Sequence, residues 1–110
     1  QALLKHWQGC AVSGIALASM LRASHIKPWR DATHLERLDP FNGLLLTPNL
    51  DQAFDQGLIS FTDEGDIIIA QTLTAELQRA LGITPQCRLR SLHDRHLNYL
   101  AWHREHVFSG

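Results

Sequence analysis

A chain of 110 residues, 45% hydrophobic and 19% charged, suits one modest globular core and excludes a disordered or fibrous protein. Apolar runs such as LLL at 44–46 and III at 67–69 fall far short of the ~20 residues that cross a bilayer, so no membrane partner is expected. The net charge of −1 argues mildly against a chain that holds nucleic acid by phosphate neutralisation alone.

Two isolated cysteines, Cys10 and Cys87, make neither a disulfide framework nor a metal knuckle, which points to a reducing, cytoplasmic setting. No charged segment followed by a long apolar stretch opens the chain, so no secretory signal is read. A start at Gln1 rather than Met is expected of a piece of a longer protein, and residues 1–110 read as a single domain.

In chain order, residues 1–8 read as the tail of a helix, with Leu3, Leu4 and Trp7 at helical spacing. CAVSG then turns, and IALASMLRA is a short helical or irregular stretch leading into SHIKPW. Pro28 and the residue before it disfavour helix, so His25, Ile26 and Lys27 are expected to be extended. Residues 30–41 read as a polar loop with a weak helical turn around Thr33–Arg37. NGLLLT is a strand after an Asn-Gly turn. Pro48 suits the first turn of a helix that runs through PNLDQAFDQ until Gly57 stops it. LISFT and DIIIAQ form a hairpin joined by DEG, TAELQRALG is a short helix ending at Gly82, and residues 93–107 form a last helix. The expected class is α+β, with a strand–loop–strand–helix unit over 24–56.

Charge is unevenly distributed. Arg22, Lys27, Arg30 and Arg37 face only Asp31 and Glu36 in their segment, whereas Asp51 to Asp66 holds five acids and no base. Cations beside carboxylates are what a metal-assisted phosphodiesterase needs, although scatter also produces such a pattern. An imidazole with an unperturbed pKa of ~6.5 is suited to take a proton near neutrality. The spacing of Asp51 and Asp55 (i, i+4) projects both carboxylates from one face of a helix, where two oxygen ligands could reach one hard cation.

The segments SHIKPW, FNGLLLTPNLD and DQAFDQG, together with GLISF, YL and HREHVF, resemble the HNH endonuclease family over nearly the whole chain, from about Trp7 to Phe108. The resemblance implies a ββα-metal core at about 21–57 with an added β-hairpin and flanking helices. It also implies hydrolysis of DNA phosphodiester bonds, in a restriction-like or defence protein. On it, His25 is the first H and general base, Asn42 is the N that bridges the loop and orients the base, and Asp51 stands where the last H usually falls. Asp51 and Asp55 are then the expected metal ligands, and Mg2+ or Mn2+ the expected ion. Lys27, Arg30 and Arg37 are expected phosphate contacts on DNA, with a homodimer or further domains as other partners.

Two departures matter. Many relatives carry Asp or His before the base, where this chain has Ser24, a poor ligand, so the site depends on Asp51, with Asp55 or Asp39 to compensate. The places of a zinc knuckle, Cys10–Ser13 and Thr47–Leu50, lack three of four thiols, so no structural zinc is expected. Ser24 and Asp51, together with the near-neutral charge, keep open an alternative function, a degenerate module that binds nucleic acid or a protein partner without cutting. Cleavage of RNA is a weaker reading, because no aromatic-rich sheet for stacking single-stranded bases is visible.

Each candidate has a plainer explanation. A lone histidine beside an apolar Ile is usually structural, Asn42 is a common turn residue, and paired aspartates on a helix are usually solvated. Lys27, Arg30 and Arg37 could be ordinary surface cations. His93, His96, His103 and His106 are expected to pack the terminal helix and cap its last turn rather than hold a second metal. Trp7, Trp29 and Trp102 read as core, with Trp29 also able to wall a cleft.

Overall fold

A computed structural model describes residues 2–110. Its secondary structure is mixed and matches the α+β expectation. The first helix, α1 (Ala2–Trp7), ends where the turn begins, and Gln1 lies outside the described residues. IALASMLRA is mostly irregular, with a 3-10 turn at Ala18–Met20 before strand β1 (Arg22–His25). A second 3-10 turn, Trp29–Asp31, follows β1 and leads to helix α2 (His34–Leu38). That helix has a reciprocal cap, in which Thr33 accepts from the Glu36 N–H and Glu36 accepts from the Thr33 N–H.

Strand β2 (Gly43–Leu46) pairs antiparallel with β1, placing Ser24 opposite Leu44 and His25 opposite Gly43. The expected Asn-Gly reverse turn is absent. Asn42 closes a 3-10 turn over Pro40–Asn42, and Gly43 is extended at φ −145°. Gly43 is needed for packing instead, since a Cβ there would come within 2.7 Å of the Leu3 side chain where α1 crosses β2.

Helix α3 (Pro48–Asp55) begins with Pro48 in its first turn and is followed by Gly57 at φ +75°, the left-handed conformation that glycine adopts without strain. Leu50, Ala53 and Phe54 turn its apolar face inward, so α3 lies on β1 and β2 and completes a ββα unit. Strands β3 (Ile59–Phe61) and β4 (Ile67–Ile69) form the added hairpin, closed by the Thr62 N–H donating to the Asp66 carbonyl at 2.8 Å. Helix α4 (Ala75–Leu81) ends at Gly82 in the left-handed region. Helix α5 starts later than expected, at Leu97–His106, preceded by a 3-10 turn at Asp94–His96.

One core joins these pieces. Trp7, Ile26, Leu44, Leu46, Phe54, Ile59, Phe61, Ile83, Leu89 and Leu100 are all buried in it, each worth roughly 1.5–3 kcal/mol for the larger side chains. Arg90 ties the segment before α5 to the first loop, its Nε donating to the Cys10 carbonyl at 2.7 Å and its Nη2 to the Trp7 carbonyl at 2.9 Å. His103 sits inside the core, stacked on Phe54 with 3.7 Å between ring centroids. Its Nε2–H donates to the Phe54 carbonyl, and its Nδ1 accepts from the Ser60 hydroxyl. Among the described residues no helix is long and apolar enough to cross a membrane.

Candidate active site

The site is built where β1 ends and α3 begins. Along a strand successive side chains alternate between faces. Ser24 is accordingly buried toward α3 while His25, the last residue of β1, is exposed. The His25 ring meets the Trp29 ring edge-on, 5.8 Å between centroids at 73°. A cavity of about 230 Å³ lies along this side, with His25, Arg37, Leu38 and Asn42 in its wall.

Asn42 is 1% exposed and uses its whole amide. Its Oδ1 accepts from the Lys27 N–H at 2.7 Å, and its Nδ2 donates to the carbonyls of Lys27 and Glu36 at 3.3 and 3.2 Å. Its backbone carbonyl accepts from the Ile26 N–H. The segment just after His25 is thereby locked to the start of β2 and to α2.

Half-buried Asp51 lies beside Ser24, the residue before His25. Burial pushes the Asp51 carboxyl above its ordinary pKa. The Ser24 hydroxyl opposes that, the Asp55 charge adds to it, and Arg22 opposes it. Asp55 is exposed, one turn further along α3. The structure therefore brings Asp51, Asp55 and Ser24 together, with exposed His25 at the next strand position.

This donor set bears on the ion that the sequence implies. Among the described residues no three His, Cys, Asp or Glu side chains converge on one point, so a closed protein cage of the zinc type does not fit. A hydrated hard cation does fit, because Mg2+ keeps several waters and is commonly held by one or two carboxylates. Two carboxylates one helical turn apart, with Arg22 the cation acting on Asp51, supply that charge. The Cys10 sulfur is engaged otherwise, accepting from the Ser13 and Val12 N–H groups at 3.4 and 3.5 Å within its own turn.

The remaining expected residues divide. Asp39 has partners of its own. Its oxygens accept from the Tyr99 hydroxyl, Arg95 and the Phe41 N–H, which makes it a structural tie between the 3-10 turn at 40–42 and α5. The Lys27 ammonium contacts both Glu36 oxygens, at 3.0 and 3.2 Å, and lies 5.4 Å from the Trp102 ring centroid. Its charge is turned into the fold. Arg30 is exposed, 3.6 Å from Asp31. Arg37 lies over Trp29 at 4.4 Å, with its Nε donating to the Trp29 carbonyl.

Trp29 is not a core residue, contrary to the expectation, because it is 58% exposed. The turn at 29–31 carries it outward, and no periodicity in the sequence signals that. His6, His93 and His96 gather around Phe41, with ring centroids 4.5–5.5 Å from it, and pack edge-on or tilted. His106, at the end of α5, stacks on Trp102 with 4.2 Å between centroids.

Residues 10–62 match the family model described as HNH endonuclease. Among solved structures, a modification dependent TagI restriction endonuclease is similar in fold, with a TM-score of 0.59 and 23% identity over 94% of this chain. That alignment takes in 35% of the solved chain, so this chain spans about a third of its length. No curated protein matches.

Proposed function

Since residues 10–62 belong to the HNH endonuclease family, we propose that the chain is a metal-dependent DNA endonuclease module in which His25 is the general base. The observation that carries this reading is the junction at Ser24 and His25. One face of β1 meets the Asp51–Asp55 carboxylate pair, the next residue presents an exposed imidazole, and Asn42 locks the chain just beyond it.

In this mechanism the His25 imidazole takes the proton of an attacking water. The water oxygen forms a bond to phosphorus as the bond to the leaving 3′ or 5′ oxygen breaks, and that oxygen departs with a proton from solvent. Asp51 and Asp55 would hold a divalent cation, whose chemistry there would be to supply positive charge to the developing oxyanion. Asn42 touches no substrate and holds the strand exit in place. Arg30 and Arg37 are the cations placed to meet phosphates; Lys27 supports α2 through Glu36. A restriction-like role is part of this reading, with DNA choice assigned to further domains or to pairing of two copies; the fold likeness to a restriction endonuclease supports it.

Ser24 favours a second reading, a module that binds nucleic acid without cutting, because a hydroxyl is a weak ligand next to the base. Plasmid nicking in Mg2+ separates the two. His25→Ala should lower the rate by ~10²–10⁴-fold while leaving folding and DNA affinity intact. A parent protein that binds DNA but never nicks it would favour the second reading. A variant that nicks within a few-fold of the parent would remove His25 as the base.

A further inference from the structure

A second cleft, of about 560 Å³, opens beside Trp29. Trp29 and Arg30 form one wall, Asp55 and Gln56 at the end of α3 line it, and His106 at the end of α5 contributes another. The volume is in the range of small-ligand sites, roughly 300–1,000 Å³.

Its two aromatic walls are exposed yet held. Trp29 is fixed by the Arg37 guanidinium at 4.4 Å and by the hydrogen bond from Arg37 Nε to its carbonyl at 2.8 Å. His106 stacks on Trp102 at an interplanar angle of 21°, and its Nδ1 lies 3.1 Å from the Trp102 carbonyl. A carbonyl oxygen can only accept, so Nδ1 carries the hydrogen and Nε2 is the ring nitrogen that bond leaves over. An indole that is 58% exposed yet held by Arg37 offers a rigid apolar face that loses little entropy on contact. Contacts to sugar and phosphate carry no sequence information, so such a wall suits a duplex of any sequence. Arg30 provides positive charge at the rim, whereas the Asp55 carboxylate repels a phosphate unless a cation lies between them.

We propose that this cleft is a nucleotide subsite, taking the sugar-phosphate unit next to the scissile phosphate, with Trp29 packed on the sugar and Arg30 and His106 at the phosphate. The inference rests on the endonuclease reading for its assignment beside the cut, but its contacts are tested by binding. Trp29 and His106 are both exposed, so their replacement should leave the denaturation midpoint near that of the parent.

The experiment measures affinity for a short duplex DNA in EDTA and in Mg2+, alongside nicking. Trp29→Ala and His106→Ala should each weaken binding by about tenfold, the scale of one lost aromatic contact, and Trp29→Phe should recover most of it. Asp55→Asn should bind more tightly than the parent in EDTA, where its negative charge has no cation to offset it. DNA should quench tryptophan emission in the parent and less in Trp29→Phe, since Trp7 is 3% exposed and Trp102 is half-buried and stacked on His106.

If the parent nicks through His25 while the Trp29 and His106 variants bind like the parent, the subsite is refuted and the endonuclease reading stands. If His25→Ala nicks normally while the Trp29 and His106 variants lose binding, the base assignment falls and the cleft remains a nucleic-acid contact.

Discussion

Asn42 grips Lys27 at both of its backbone groups, accepting from its N–H at 2.7 Å and donating to its carbonyl at 3.3 Å. The same amide reaches the Glu36 carbonyl, while the Lys27 side chain reaches the Glu36 carboxylate. Residues 27, 36 and 42 thus form one closed knot behind the candidate base.

Removing that amide should be costly, since several backbone groups lose their partner in a part-buried place. Asn42→Ala is expected to destabilise the fold by about 2–4 kcal/mol, on a scale of 1–3 kcal/mol per unsatisfied buried group. Asn42→Asp should fall between the two, because it keeps the acceptor and loses the donor. Urea unfolding checks the order. An Asn42→Ala protein as stable as the parent would show that the knot is dispensable.

The carboxylates should be unequal. Asp51 is half-buried beside Ser24 and Asp55 is exposed, so a cation held by both depends more on the better-fixed group. Asp51→Asn should raise the Mg2+ concentration needed for half-maximal nicking more than Asp55→Asn does. EDTA should stop nicking altogether. The reverse order would mean that the cation sits toward the end of α3.

Stability should fall with acid. Burial pushes His96 and His103 down to about 4, His96 further through His6 and His93, while the Phe54 carbonyl works against the shift at His103. Unfolded, each imidazole protonates near 6.5, so between about pH 6.5 and 4 the unfolded chain binds more protons than the folded one. Stability is therefore full above pH 6.5 and is lost as pH falls through that window. A separation of this size corresponds to about 3 kcal/mol per group. Urea midpoints at pH 7.5, 6 and 4.5 should descend, and His103→Gln should flatten the descent. A midpoint constant over that range would contradict the assignment.

The three cations expected at the phosphates should part company. Lys27→Met should leave the salt dependence of DNA binding unchanged and lower stability by about 1–3 kcal/mol, as for a part-buried charged hydrogen bond. Arg30→Ala and Arg37→Ala should each reduce the slope of log K against log[salt] by about 0.9 on B-DNA. An equal slope change for Lys27 would mean its ammonium leaves Glu36 when DNA binds.

Sequence choice by this chain alone should be slight, because phosphate contacts position a protein without reading bases. Digesting random-sequence DNA and sequencing the ends should give little consensus. A sharp consensus would place base reading in the segment from Arg30 to Phe41.

What the sequence determined by itself was local or strongly patterned. Pro48 and Gly57 delimit α3, alternation and turn chemistry mark the β3–β4 hairpin, and the i, i+4 spacing puts Asp51 and Asp55 on one helix face. Its motifs also carried the family resemblance. Only the tertiary structure decided which partner each side chain takes. Gly43 reads as a turn glycine until Leu3 is seen against it, and Lys27 reads as a surface cation until α2 brings Glu36 to it. Trp29 reads as core until a 3-10 turn carries it out, and His106 reads as a helix cap until it meets the cleft beside Asp55. Each of these relations joins segments that folding alone brings together, and the energy that chooses them comes from burial and pairing rather than from local propensity.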